Sequence, residues 1–275
     1  MKTRLLALIA LLTLCAATGK AEKIKGDGNV ITKEINISDY NSLEITGNIS
    51  QNQSLSKLKN NEIPTFNYSQ KSGSPSLTIT IDKNLLPLLI IESSNGKLSI
   101  RVEKNKHLFP TQMIISSNST QLENLRVSGS FYFKSQTPLN GNRLKVMASG
   151  ASDVYLKQAI HVDQCELSAS GASDMDISNL ICNGITVNAS GSSDIEMKGK
   201  AYTGEINASG SSDIDAFGFI IKELACKASG SSDINIHATE SLDVKASGSS
   251  DVTYKGNPRT NSIHSSGSAD IEKAR

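Results

Sequence analysis

Seven near-identical heptads recur in the second half of the chain, and their spacing constrains the fold more than any other feature. They run from Ala148 to Val154, Ala169 to Met175, Ala189 to Ile195, Ala208 to Ile214, Ala228 to Ile234, Ala246 to Val252 and Ser265 to Ile271. Their glycines, at 150, 171, 191, 210, 230, 248 and 267, are spaced by 18 to 21 residues. A fixed period of that size marks a solenoid, in which no repeat buries its apolar face alone and stacking builds the core.

With the glycine as zero, apolar residues fall at −4 and −2: Val146 and Ala148, Leu167 and Ala169, Val187 and Ala189, Ile206 and Ala208. They fall again at +4 and +6: Val154 and Leu156, Met175 and Ile177, Ile195 and Met197, Ile234 and Ile236. Period-two alternation on both sides of a glycine reads as two short strands joined by a bend. No 3.6-residue stripe competes with it. The prediction is an all-β, right-handed parallel β-helix with rungs of 18 to 21 residues, its hand following the rule for parallel crossovers. Hydrophobic residues make up 37% and aromatics only 4% of the 275 residues, with no Trp, which suits a thin core of stacked aliphatics.

Residues 1–21 read as a secretory leader. Lys2 and Arg4 form the basic start, Leu5 to Ala17 the apolar run, and Gly19-Lys20-Ala21 places small residues at the cleavage positions. The run is too short to span a bilayer, and no later segment is apolar enough to do so. Leu12-Thr13-Leu14-Cys15 resembles a lipobox but has Leu where a small residue belongs. Cleavage would remove three of the 28 basic residues and leave 25 against 27 acidic ones. That balance lacks the basic stripe of a nucleic-acid binder. The remaining Cys165, Cys182 and Cys226 are an odd set, which argues against a full disulfide framework. Cys165 and Cys226 fall on apolar repeat positions and read as buried hydrophobes. Three rungs, about 14 Å, hold them apart.

Residues 22–127 lack the Ser-Gly-Ser-Asp motif but keep strand alternation, as in Asn41–Gly47, Leu77–Ile81 and Leu98–Val102. Asn95-Gly96 is a tight-turn signal between two such runs. This part is expected to be continuous with the repeat β-helix of residues 128–275. Asp82-Lys-Asn-Leu-Leu-Pro87, then Asn95-Gly96-Lys97-Leu98-Ser99-Ile100, then Val127-Ser128-Gly129-Ser130 ahead of the repeats resembles the auto-transporter adhesin head GIN domains of Bacteroidetes. The resemblance covers roughly residues 36–272. It implies a β-helical fold and an exported protein at the cell surface, outer envelope or periplasm. Phe131-Tyr132-Phe133 stands where later rungs have Ser-Asp; a core or rung-edge role is expected for it.

Asp153, Asp174, Asp194, Asp213, Asp233, Asp251 and Asp270 share position +3 and form a predicted column. Neighbours about 4.8 Å apart repel by roughly 0.9 kcal/mol in water, and more in a lower dielectric. Compensation is expected from turn N–H groups near each glycine and from serine hydroxyls at −1 and +2. Ca²⁺ is the competing compensation, since Asp176, Glu196, Asp215 and Glu272 at +5 thicken the acidic stripe. Lys227, Lys245 and His264 form a short basic column at −3, expected to pair with nearby acids.

The carboxylates repeat identically, unlike the two differentiated groups of a glycosidase. His107, His161, His237 and His264 occupy unrelated repeat positions, and no phosphate loop, zinc spacing or dinucleotide fingerprint is present. The expectation is a non-enzymatic surface protein that presents ladders of Ser, Asp and Asn to a glycan or protein partner. A self-associating periplasmic scaffold is the alternative, and a polysaccharide-active β-helix enzyme the third. The last rung is expected either to be blunted by Glu272, Lys273 and Arg275 or to share in a homodimer, formed through that end rung or a lateral face.

Overall fold

The computed structural model describes residues 21–50 and 63–274; the predicted leader up to residue 20, Cys15 included, lies outside them. The chain forms a parallel β-solenoid of about eight turns. Strands Asp174–Ala189, Asp194–Ala208, Asp213–Ala228 and Asp233–Gly248 pair in parallel, each displaced by one repeat from the last. Like residues therefore stack on like. Ala169, Ala189, Ala208 and Ala228 form one line, and Leu167, Val187, Ile206 and Cys226 another. The predicted inward positions are the core: Val187, Ala189, Ile195 and Met197 are all buried.

The repeat glycines are required by the backbone. From Gly150 to Gly267 their φ lies between +76° and +81°, a region that costs any residue with a Cβ. They also touch: a Cβ on Gly191 would lie 2.7 Å from the carbonyl oxygen of Gly171.

Each complete turn holds a third ladder that the alternation around the glycine does not announce. Leu139, Ile160 and Leu180 stack in register on its inner side. A register shift between Ile177 and Leu180 separates it from the ladder that follows the glycine. Such shifts bend a strand without ending it.

The amino-terminal part does not stack in chain order. Strand Ser42–Ile49 lies between Lys97–Val102 and Asn124–Gly129. Thr65–Gln70 likewise lies between Met113–Ser119 and Tyr132–Ser135. The chain thus makes an inner turn, moves outward to the end, and returns over the inner turn to begin the repeats. Antiparallel strands close that end: Val30–Ile35 pairs with Ser76–Asp82, which pairs with Met113–Ser119. Leu89–Ser94 and Lys97–Val102 form the predicted hairpin, with Asn95 and Gly96 at φ 51° and 73°, as a two-residue turn with positive φ at both positions demands.

Three residues singled out in the sequence, Asp82, Phe131 and Phe133, gain a structural reason here. The wholly buried Asp82 accepts the N–H of Gly28 at 2.9 Å and of Thr111 at 2.7 Å, pinning the first strands to the solenoid. Phe131 and Phe133 are buried, with Phe133 stacked on Phe66 at 5.6 Å. Cys165, Cys182 and Cys226 are free and buried; burial pushes the Cys182 and Cys226 thiols up to about 12 and Cys165 higher still. Among the described residues no helix is long and apolar enough to cross a membrane.

Candidate binding face

The ladder after the glycine builds the candidate face. Asp153, Asp174, Asp194, Asp213, Asp233, Asp251 and Asp270 stand in one unbroken register line. Their Cβ atoms point out because Val154, Met175, Ile195, Ile214, Ile234 and Val252, one residue on, point into the core. Tyr132 heads the line, directly in register with Asp153, and Thr65 precedes it.

A second line, two residues on, runs parallel to the first. It begins with Thr78, Ser116, Asn67 and Lys134 and continues through Tyr155. Asp176, Glu196, Asp215, Asn235, Thr253 and Glu272 complete it. The face therefore has three zones: hydroxyl and amide groups, then an aromatic and ammonium patch, then carboxylates.

In the middle zone the Tyr132 and Tyr155 rings stack with centroids 4.5 Å apart and planes 21° from parallel. Lys134 Nζ lies 5.4 Å from the Tyr132 ring and Lys157 Nζ 5.9 Å from that of Tyr155, within cation–π range. Lys157 also pairs with Asp176. Burial, and after it the charge of Asp153, pushes both phenols above their usual value. The Phe131-Tyr132-Phe133 run thus divides: two rings in the core, as expected, and one on the face.

The turn is capped by serine and not by the aspartates. Ser152, Ser173, Ser193, Ser212, Ser232 and Ser250 at +2 are wholly buried. The Ser152 hydroxyl donates to the Ser149 carbonyl at 3.0 Å and to that of Val127, one rung back, at 3.3 Å. Ser149 N–H donates to it in turn at 3.2 Å. The aspartates are left facing solvent. Burial first, then the neighbouring carboxylates, raises the pKa of Asp153, Asp194 and Asp233. The backbone N–H groups of Asp213 and Asp251 offset this in part for the last two.

Among the described residues no three His, Cys, Asp or Glu side chains converge so as to hold a metal ion. The aspartates form a line, whereas calcium takes six to eight oxygens around one point. The −3 column pairs as expected at Lys227, whose Nζ lies 3.1 Å from Glu205. One pair escaped the sequence reading. Ser50 Oγ lies 2.8 Å from His107 Nε2, far from the aspartate face in sequence and on the amino-terminal turns. The His107 ring stacks on Phe109 at 4.4 Å, and burial, then Lys23, lowers its pKa. Among the described hydrogen bonds no carboxylate orients the other ring nitrogen, as the third member of a catalytic triad would.

The family model described as "Putative auto-transporter adhesin, head GIN domain" matches residues 54–178 and again 150–258. No curated protein matches the chain. A crystal structure of a protein named as a putative lipid binding protein from Parabacteroides distasonis is similar over 92% of this chain and 100% of its own, at 29% identity and a TM-score of 0.83. One named as a putative adhesin from Parabacteroides merdae is similar over 93% of this chain and 100% of its own, at 28% identity and a TM-score of 0.81. A third, a putative adhesin from Bacteroides fragilis, covers 91% of this chain and 100% of its own at 20% identity, and its TM-score of 0.64 extends the likeness of fold. The paired matches span well over half of the sequence, and on them the chain belongs to the auto-transporter adhesin head GIN domain family.

Proposed function

We propose that this chain is an exported, non-enzymatic adhesin of the cell envelope that holds an extended glycan along the face built on the aspartate column. One observation carries the reading: the two outward lines stay in register from the hydroxyl and amide zone, across the Tyr132–Tyr155 stack, into the carboxylates. Aromatic rings accept the apolar C–H faces of sugars, while Asn67, Ser116 and the carboxylates match sugar hydroxyls. Repetition along a rod adds many weak contacts into useful avidity. The chemistry on this face is recognition chemistry. Its carboxylates are alike, and the Ser50–His107 pair, which is the one serine–histidine hydrogen bond among the described residues, lies away from it on the amino-terminal turns.

The test is binding of the purified protein to a panel of polysaccharides, with Tyr132→Ala and Tyr155→Ala as variants. Retention that drops at least tenfold in both variants, with the polysaccharide recovered at unchanged length, is expected. Equal retention by the variants, or shortened polysaccharide, would overturn the reading. Protease accessibility on intact against lysed cells tests the location, and protection until lysis would move the protein to the periplasm. Self-association is the second reading. Among the described residues Arg259–Gly267 pairs on one side only, with Asp233–Gly248, and every one of its residues is exposed. Sedimentation showing only monomer at tens of micromolar would remove it.

A further inference from the structure

The third ladder carries a patch that the aspartate face does not use. Ile181, Lys200 and Ile220 occupy one register line on three successive turns. Both isoleucines are large aliphatics left open to solvent, 39% and 43% exposed, and Tyr202 beside them is 49% exposed. The line behind them, Cys182, Ala201 and Ile221, is buried, so the strand period forces the isoleucines outward. A depression of about 360 Å³ runs over these side chains and reaches Asn183 and Lys222. Exposed aliphatics grouped in this way mark a contact surface.

The charges show what kind of contact. Lys222 lies 5.1 Å from the Tyr202 ring and 2.8 Å from Glu240. Asp163, at the margin, accepts a hydrogen bond from Asn183 at 3.0 Å. Lys200, set between the two isoleucines, makes no ion pair among the described residues. An uncommitted ammonium framed by aliphatic side chains and an amphipathic phenol is complementary to an anionic headgroup above acyl chains. Isoleucines reach the hydrocarbon boundary, tyrosine sits at headgroup level, and lysine pairs with the headgroup.

We propose that the Ile181–Lys200–Ile220 patch, with Tyr202 and Lys222, is a docking surface for an anionic phospholipid membrane. The contact is peripheral and reversible: two aliphatic side chains and the one uncommitted lysine, Lys200, make a weak anchor, sensitive to lipid charge and to salt. It is independent of the glycan reading, because it uses a different ladder.

The test is flotation of the purified protein with vesicles of phosphatidylcholine alone or with three-tenths phosphatidylglycerol. Recovery with the anionic vesicles should exceed that with the neutral ones at least fivefold and fall to the neutral level in 1 M NaCl. An I181S/I220S double variant and, separately, Lys200→Glu should each lose that excess with unchanged circular dichroism and melting. Asp194→Asn/Asp213→Asn, on the other face, should keep it. Equal recovery with both vesicle types overturns the proposal, as does an excess that survives in the Ile181 and Ile220 variant. Sedimentation of the wild type as a dimer that I181S/I220S dissolves would assign the patch to a second copy of the chain and also overturn it.

Discussion

The hydroxyl of Ser193 closes a ring on Ser190, donating to its carbonyl at 3.0 Å and accepting its N–H at 3.2 Å. The same ring recurs at Ser152 with Ser149 and at Ser173 with Ser170. It caps the Ser190 carbonyl at the bend, while the Ser190 N–H also donates to the Ala169 carbonyl of the preceding rung at 3.0 Å. Ser193→Ala is expected to lower stability by about 1–3 kcal/mol, the cost of leaving the part-buried Ser190 carbonyl without its hydroxyl donor. Chemical denaturation measures it, and a loss below a few tenths of a kcal/mol would show that the ring is dispensable.

The aspartate beside each capping serine behaves oppositely. Asp213 stands between Asp194 and Asp233 in register, and the pKa of both neighbours is raised by burial first and by Asp213 among the nearby charges. Asp213→Asn keeps the shape and removes one repulsive charge, so the melting temperature should rise by a degree or more at low ionic strength. The gain should vanish in 1 M NaCl, where the screening length is about 3 Å. A lower melting temperature at low salt would mean that the carboxylate is a structural acceptor after all.

Gly191 has φ of +81°, and a Cβ there would sit 2.7 Å from Gly171's carbonyl oxygen. Gly191→Ala therefore meets both backbone strain and a backbone clash that no side-chain rotation relieves. We expect a loss of about 2 kcal/mol or more, with melting as the readout. Gly73 also has positive φ but open space around it, so Gly73→Ala should cost clearly less.

Asp82 is the only aspartate among the buried polar and charged residues described, and it accepts two backbone N–H groups from segments far apart in sequence. Asp82→Ala should cost about 3 kcal/mol, because the two hydrogen bonds that its buried carboxyl group accepts are lost together. Hydrogen exchange should show the loss concentrated in Glu22–Lys25 and Val30–Ile35. Uniform loosening of the repeats instead would contradict the pinning role.

Stability should also vary with pH in two stages. Asp153, Asp194 and Asp233 have raised folded-state pKa values, so the folded chain binds more protons than the unfolded chain as pH falls toward the carboxylate range. Stability then increases as pH falls through those raised values. Glu166, held down by Lys145, and Asp39, held down by Thr120, have lowered pKa values. Their contribution is present above the unfolded values and lost as pH falls through the folded ones. Melting temperature is expected to rise as pH falls from neutral toward the ordinary carboxylate range, about 4, and to fall again below it. A steady fall from pH 7 would show that the ion pairs outweigh the column throughout.

The repeat alone determined which residues line up. A period of 18 to 21 residues with alternation about a glycine leaves one stacking register, and from it follow the Ala169–Ala189–Ala208 line, the outward Asp column and the buried Cys165 and Cys226. Asn95-Gly96 marked its hairpin because few residue pairs accept positive φ twice. Tertiary structure decided the rest. Alternation turns Asp194 outward but does not say that the neighbouring Ser193 hydroxyl is buried and closes on Ser190; the bend geometry fixes that. The stacked Tyr132 and Tyr155, the exposed Ile181 and Ile220, and the Ser50–His107 pair depend on which turn lies beside which. The insertion of Ser42–Ile49 between Lys97–Val102 and Asn124–Gly129 is the clearest case. A parallel strand can pair with any strand of matching alternation, and closing a longer loop costs little extra free energy. Local pattern therefore fixes each strand's faces, and only the packing of the whole chain fixes its neighbours.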